Sequence, residues 1–497
     1  MLPGPIGLLA ALLLLPATVS AEPFDFQTLV AEAKDLAGAP YQPPRTYDDA
    51  LATWDFAQWD AIRHDPAQWL WPGSRFRIAL SPPGYLFNQD VEIVELDAAG
   101  SHPRTPADVR FAYPDPALAE AAKAAGRKGF AGLRVLYPLN SADKFDEVLS
   151  FQGASYFRAL ARGQWYGLSA RGIAIDTGLG QDEEFPGFRR FYLARPAPSD
   201  DFLRLYALLD GPSVTGAYQF LLRPGAPTTL DVEATIFLRQ PVERLGLAPL
   251  TSMFLQGENS RLPITRLNPE EHDSDGLWLQ RGEEHLWRSL QNPLQPTYER
   301  LDAPSPRAFG LLQRDRRFEH YQSLFLHYQD RPGAWVEPVG DWGPGRLTLL
   351  QLPTDTETQD NIVSYWEPAE PPAPGEPLHL AYRLVWGDAP ALGAERARVV
   401  NTLTGRLAGE PDGREYAVDF SGPALEGLDI GRLSAALDVG NGSRAEAVEI
   451  RANPHAEGVR LRFVLRREGA RGPLRLRGFL QHEGRQISET WDYVDHD

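Results

Sequence analysis

An all-β chain of two sandwiches, the first large and antiparallel and the second much smaller, is what this sequence predicts. Three features carry that expectation. From Phe76 onward, runs of roughly four to eight residues rich in β-branched and aromatic side chains recur, each bounded by Gly, Pro or Asp. Few segments between them have the length or spacing of a helix, which argues against alternating βαβ units. Near the C-terminus the same punctuation returns at tighter spacing.

The elements follow in chain order. "MLPGPIGLLAALLLLPATVSA" holds an apolar core of about ten residues and ends in Val-Ser-Ala, the form of a secretory signal (1–21) cleaved after Ala21. No Lys or Arg precedes the core, so a membrane anchor is the competing reading. Pro16 breaks the run, however, and it falls short of the ~20 apolar residues of a spanning helix. "FDFQTLVAEAKDLA" (24–37) has helical spacing and stops at Gly38, and "PAQWLWPG" reads as a loop. Strands are expected at "FRIALS", "VEIVEL", "GLRVLYPL", "FRRFYLARP", "LRLYALL", "AYQFLLRPG", "TTLDVEATIFL", "RLTLLQLP" and "LHLAYRLVW". Two exceptions read as helices, "ALAEAAKAAG" (117–126) and "VERLGL" (242–247).

"EPAEPPAPGEP" (367–377) has the composition of a linker, but "LHLAYRLVW" after it can still pair with the large sheet. A second break at "GDAPALGAERA" places the boundary near residue 395, dividing the exported chain into 22–395 and 396–497. Beyond it, "REYAVDFSG", "RLSAALDVG", "AVEIRANP", "VRLRFVLRR", "LRLRGFLQ" and "ISETWDYV" fit an immunoglobulin-like sandwich of about a hundred residues.

Composition narrows the function. The 497 residues carry a formal charge of −18, which disfavours a nucleic-acid partner because backbone binding needs a basic face. There is no cysteine, so disulfides, thiol catalysis and thiolate metal sites are excluded. Aromatics make up 10 % of the chain, with twelve Trp, and flat apolar faces with polar handles suit sugar rings. Packing in a large β core is the competing use for each of them.

Two acidic clusters precede apolar runs, "HDSDGL" and "TDTETQDNIVSYW". Carboxylates beside buried strand ends acquire raised pKa values and can act as general acids. The alternative for each is a polar turn in which Asp bonds its own backbone. A calcium loop starting at Asp273 is a poor fit. It would put Leu277 where an oxygen ligand is needed and Trp278 where glycine makes the turn. No metal or other cofactor is expected. "GLG" (178–180), "GPG" (343–345) and "GLSARG" lack the setting of a phosphate cradle or a nucleophile elbow.

"FQGASYFRALARGQWYGLSARGIAIDTG", "YALLDGPSVTGAYQFLLRPG", "LAPLTSMF", "HDSDGL", "RAFGLLQRDRRFEHYQ", "WVEPVGDWGPGRLTLLQLPT" and "DNIVSYW" together resemble the periplasmic glucan biosynthesis proteins of the G and D type. The likeness is dense from about residue 24 to 400. The absence of a twin-arginine pair favours the G type. The resemblance implies a mutarotase-like supersandwich followed by an immunoglobulin-like domain, a periplasmic location, and a role in making osmoregulated glucans with a β-1,2-linked glucose backbone. It also implies similarity to inverting β-1,2-glucanases. In that picture Asp360 is the general acid with Glu357 as its acidic companion, Asp273 is the base, and Tyr328 lies beside the reacting region. A phenol donates and accepts at once, so Tyr328 can pass a proton along a hydroxyl chain.

His272 and Asp275 are expected to tune Asp273 or to touch sugar hydroxyls. Tyr156, Arg158, Trp165, Tyr166, Arg171, Asp176, Trp335, Asp341 and Trp342 are the expected lining of the glucan groove. The alternatives to hydrolysis are a non-catalytic glucan-binding scaffold and a transglycosylase that cyclises the chain. The partners implied are β-1,2-glucan and, beyond it, a membrane glucan synthase or glucan-modifying proteins.

Overall fold

The computed structural model describes residues 24–496 except 48–51, 179, 181–182, 261–266, 408, 411–412 and 469–471; the expected signal, 1–21, lies outside the described residues. Among the described residues no helix is long and apolar enough to cross a membrane.

Two large sheets face each other. One has ten strands, ordered from Arg77–Ser81 through Gly132–Ser141, Lys144–Gln152, Tyr156–Ala159, Ser169–Arg171, Leu245–Ser252, Ile362–Pro368 and Gly345–Gln351 to Thr297–Asp302, with Ile173–Ile175 paired to Leu245–Ser252 off that path. The other contains the long meander Gly187–Ala194, Leu203–Asp210, Val214–Arg223 and Thr228–Leu238, followed by Pro377–Gly387, Gly333–Pro338, Ala308–Leu312 and Gly276–Arg281. Side chains from both sheets interleave in one apolar core that includes Phe151, Phe157, Phe188, Phe220, Trp366 and Trp386. Among the described strands pairing is antiparallel except where Gly187–Ala194 meets Glu92–Asp97 and where Glu284–Ser289 meets Thr490–Asp495, and the isolated bridge Ala397–Ser488 is also parallel.

Alternation decides which face each strand buries. In Thr228–Leu238, Leu230, Val232 and Ala234 turn to the core while Asp231 and Glu233 face out. The strand then becomes apolar on both faces at "TIFL" because the helix Phe26–Ala37 covers the outer side, packing Leu29 and Ala33 on Leu208, Ala217 and Phe237. Asp25 caps that helix by accepting the Gln27 N–H at 3.1 Å.

The expected helix at Pro116–Ala124 forms. "VERLGL" does not. Its last three residues open the strand Leu245–Ser252, which is buried along its whole length between neighbours on both sides. Six residues gain too little from helical bonds to compete with that pairing.

"LHLAYRLVW" lies in Pro377–Gly387, inside the large sheet, and the next strand, Arg398–Arg406, begins a separate four-stranded sheet with Gly413–Ser421, Gly458–Arg467 and Ser443–Asn453. Its facing sheet, Leu433–Asp438, Leu474–His482 and Thr490–Asp495, is not independent. The parallel register Leu286↔Thr490, Trp287↔Trp491 and Arg288↔Asp492 makes it continuous with the large sheet. The small core, built on Tyr416, Phe463, Trp491 and Tyr493, extends to Trp278, Trp287 and Trp335 of the first sandwich.

Candidate active site

Sheet register brings the first polar group together. Tyr156 and Arg171 are direct cross-strand partners, Thr251 pairs with Ser169, and Ser252 pairs with Ile362, the residue two beyond Asp360. The Arg171 guanidinium lies 4.6 Å from the Tyr156 ring, donates to Thr251 Oγ1 at 3.0 Å and pairs with Glu183 at 3.1 Å. One strand away, Arg158 covers the Tyr166 ring at 4.5 Å.

Asp360 ends the loop before Ile362–Pro368, and its neighbour Asn361 anchors it. Fully buried, Asn361 accepts the Phe254 N–H at 2.8 Å and donates to the carbonyls of Phe254 (3.0 Å) and Leu352 (2.9 Å). Asp360 itself stays accessible to solvent, as a group that meets a ligand must. Protein atoms nonetheless surround it closely enough that desolvation, followed by the like charge of Asp273, pushes its carboxyl up to about 6 against the pull of Arg171, Arg158 and Arg331. A turn-capping acid behaves oppositely. Asp341 accepts the Gly343 N–H and a bond from Ser305, and these hold its carboxyl below the usual range.

Asp273 is buried at the end of the short strand Glu271–His272, with its N–H on the Met253 carbonyl at 2.8 Å. Its carboxylate takes a bond from Arg331. The Arg331 guanidinium also lies 4.2 Å from the Tyr328 ring, and the Tyr328 hydroxyl donates to Glu357. Burial first, and that bond second, raise the Tyr328 phenol well above its ordinary value. Burial likewise lifts Tyr156 to about 12, with Asp360 adding to the shift. Asp360, Asp273, Tyr156, Arg158, Arg171 and Arg331 therefore share one electrostatic field, and Tyr328 and Glu357 adjoin it through Arg331 and Asp273.

Tyr156, Arg158 and Tyr166 also line a cavity of about 560 Å³ that continues to Phe56, Trp59 and Phe87. Trp165 is 52 % exposed and stacks on His327 at 4.2 Å with rings 9° apart.

Other expected lining residues lie elsewhere. Trp335 is buried in the core shared by the two sandwiches, and Trp342 packs on Phe309, Trp366 and Tyr382. Asp176 accepts the Arg244 N–H at 2.7 Å, and Asp341 closes the turn already described. His272 and Asp275 face a second, buried cluster. His272 bonds Glu270 at 3.1 Å and Gln313 at 3.0 Å and lies 3.2 Å from Asp275, and these acids lift it to about 9 despite burial.

Glu270, Asp315 and His320 offer ligand atoms within 4.8 Å of one another. His320 Nδ1 is bonded to Asp315, and Arg317 faces His320 Nε2.

Arg331, Asn361 and Gln313 are absent from the sequence-based expectations. Gln313 is a hub, donating to the His272 carbonyl (3.0 Å), the Tyr321 hydroxyl (2.9 Å) and the Tyr328 carbonyl (3.2 Å). Asn361 lies inside the "DNI" motif, where its position beside an acid could have drawn notice. Nothing local marks Arg331 or Gln313.

Comparisons with known proteins are consistent along the whole chain. A family model described as "Periplasmic glucan biosynthesis protein, MdoG" matches residues 24–494. "Glucans biosynthesis protein G" of Ralstonia nicotianae is 40 % identical over 98 % of both chains. The protein of that name from Serratia proteamaculans is 40 % identical over 96 % of this chain and 94 % of its own. "Glucans biosynthesis protein D 1" of Ralstonia nicotianae is 42 % identical over 96 % and 92 %. Relatives of both names thus match this chain at about 40 % identity.

Proposed function

Because this chain belongs to the periplasmic glucan biosynthesis protein family MdoG, we propose that it acts in the periplasm on the β-1,2-linked glucose backbone of the glucan, as an inverting glucanase. The observation that supports this most is the Asp360 carboxyl. It is open to a ligand, yet held up to about 6 by burial and by Asp273, so about half of it keeps its proton in mildly acidic solution.

In this mechanism a glucan segment lies along Tyr156, Arg158 and Tyr166 with Trp165 at its edge. The aromatic faces take ring C–H groups and the guanidinium groups take hydroxyls. Asp360 gives its proton to the glycosidic oxygen as the bond from the anomeric carbon breaks. Water attacks that carbon from the opposite face, and its proton leaves toward Asp273, so the anomeric configuration inverts. Tyr328 can accept a proton from a hydroxyl only as it passes its own to Glu357, the acceptor already bonded to it, and this supports a relay through the pair. Arg331 holds the base and the phenol in one arrangement.

The test is incubation of purified protein with linear β-1,2-glucan. Shorter oligosaccharides of inverted anomeric form, each cut adding one water, are the expected products, and Asp360→Asn is expected to abolish them. Cyclic products would assign transglycosylation instead. Saturable binding without product would assign a scaffold role.

A further inference from the structure

A second cleft, of about 650 Å³, lies between the two sandwiches and is lined from both of them. One wall comes from the large sandwich, with Asn259, Glu270 and Asp315, and the other from the small one, with Asn401, Asn453 and His455. Its size falls within the roughly 300–1,000 Å³ of small-molecule sites, far more than a metal ion needs.

Three observations point to the ligand. Asn259 is 3 % exposed and lines the cleft; its amide N–H₂ donates to the Leu290 carbonyl at 2.9 Å, and its amide oxygen has no hydrogen-bond partner among the described residues. On the opposite wall the amide oxygen of Asn401 is also buried without a partner. Two residues that line one cleft thus each carry a neutral acceptor in want of a donor, such as a hydroxyl. Second, the strand Arg398–Arg406 bulges between Val399 and Asn401, and Val400 and Asn401 both line the cleft. Bulges re-aim side chains in this way beside binding sites.

Third, the charges are largely answered from within. Arg460 pairs with Asp419, Arg314 with Glu489, His320 with Asp315, and His272 with Glu270 and Asp275. Half-buried Glu258 accepts the Thr402 N–H, and desolvation followed by the like charges of Glu270 and Asp275 lifts it to about 8, which favours its neutral form.

We propose that this cleft is a second carbohydrate site, separate from the cavity lined by Tyr156, Arg158 and Tyr166, which holds a neutral oligosaccharide segment through hydroxyl bonds to Asn259 and Asn401. The site stands on its own geometry; only the choice of β-1,2-linked glucose as its sugar rests on the function proposed above. A polymer engaged at both sites is held twice by one chain, which raises the local concentration of each segment at its site.

The experiment titrates linear β-1,2-gluco-oligosaccharides into the full-length Asp360→Asn protein by calorimetry. Two sites per chain are expected. Val400→Trp, which sets a ring in the cleft mouth from an exposed position, and Asn401→Ala should each weaken one site at least tenfold while leaving thermal melting unchanged. Trp165→Ala should weaken the other. A single site indifferent to both Val400→Trp and Asn401→Ala overturns the proposal. If β-1,2-glucan binds nowhere, the function proposed above fails, and cello-, laminari- and malto-oligosaccharides then test the cleft alone. Binding of one of them that Val400→Trp removes supports the second site, and no binding of any overturns it.

Discussion

As the proposed general acid, Asp360 has to satisfy opposing demands, since burial enough to keep a proton must coexist with an opening for the glycosidic oxygen it would protonate. The like charge of Asp273 supplies part of the upward shift, and three guanidinium groups limit it. This gives a pH signature. The rate on β-1,2-glucan should fall as pH rises through about 6, read as the alkaline limb of kcat/KM. Asp360→Asn should lower the rate by about 10²–10⁴-fold. Asp273→Asn removes the like charge, so the Asp360 titration followed by NMR should move to lower pH. A Coulombic contact too weak to matter would leave it in place. Stability has its own sign. The folded pKa lies above the unfolded one, so ionising Asp360 destabilises the fold as pH rises through that window, and Asp360→Asn should raise the melting temperature at pH 7 while abolishing turnover.

At the scale of elements, the groups proposed to react sit on segments held by buried polar anchors. Asn361 joins the loop before Ile362–Pro368 to Phe254 and Leu352 by three bonds, and Gln313 joins Glu271–His272 to the short 3₁₀ turn Tyr328–Asp330. Removing such an anchor leaves buried backbone groups unpaired. Asn361→Leu should therefore lower stability by about 2–4 kcal/mol in denaturant titrations and reduce kcat more than a surface change would. The strands were legible in the sequence because alternation and Gly/Pro punctuation are local. "VERLGL" was misread because three of its residues, taken alone, satisfy helical spacing as well as strand spacing. Pairing with Ile173–Ile175 and Ile362–Pro368 decides the matter, and those partners are distant in the chain.

On the scale of the molecule, the two sandwiches are joined by a shared sheet and by buried charge. Arg288 pairs with Asp492, Arg314 pairs with Glu489, and Glu258 accepts the Thr402 N–H. Glu258 and His272 both have folded pKa values raised, to about 8 and about 9. For each, the folded state holds a proton that the unfolded state has released, so stability declines as pH rises through the window between the two values. Through Glu258 thermal melting should fall between pH 4.5 and 8, and through His272 between pH 6.5 and 9, and Glu258→Gln should flatten the lower part of that fall. An unchanged slope in Glu258→Gln would remove Glu258 from the account.

Sequence by itself determined the all-β class, most strand positions and the acidic motifs around Asp273 and Asp360, because each is written in residues adjacent along the chain. The tertiary structure alone decided which aromatic and charged side chains stand together. Trp335 and Trp342 carry the same sequence signal as Trp165, yet two fill cores and one lies exposed beside His327. Arg331 reaches Asp273 across 58 positions, and His272 and Asp275 turn from the acid beside them toward the junction. Side-chain direction along a strand is local, but what a side chain meets is set by the sheet opposite, and no window of sequence contains both.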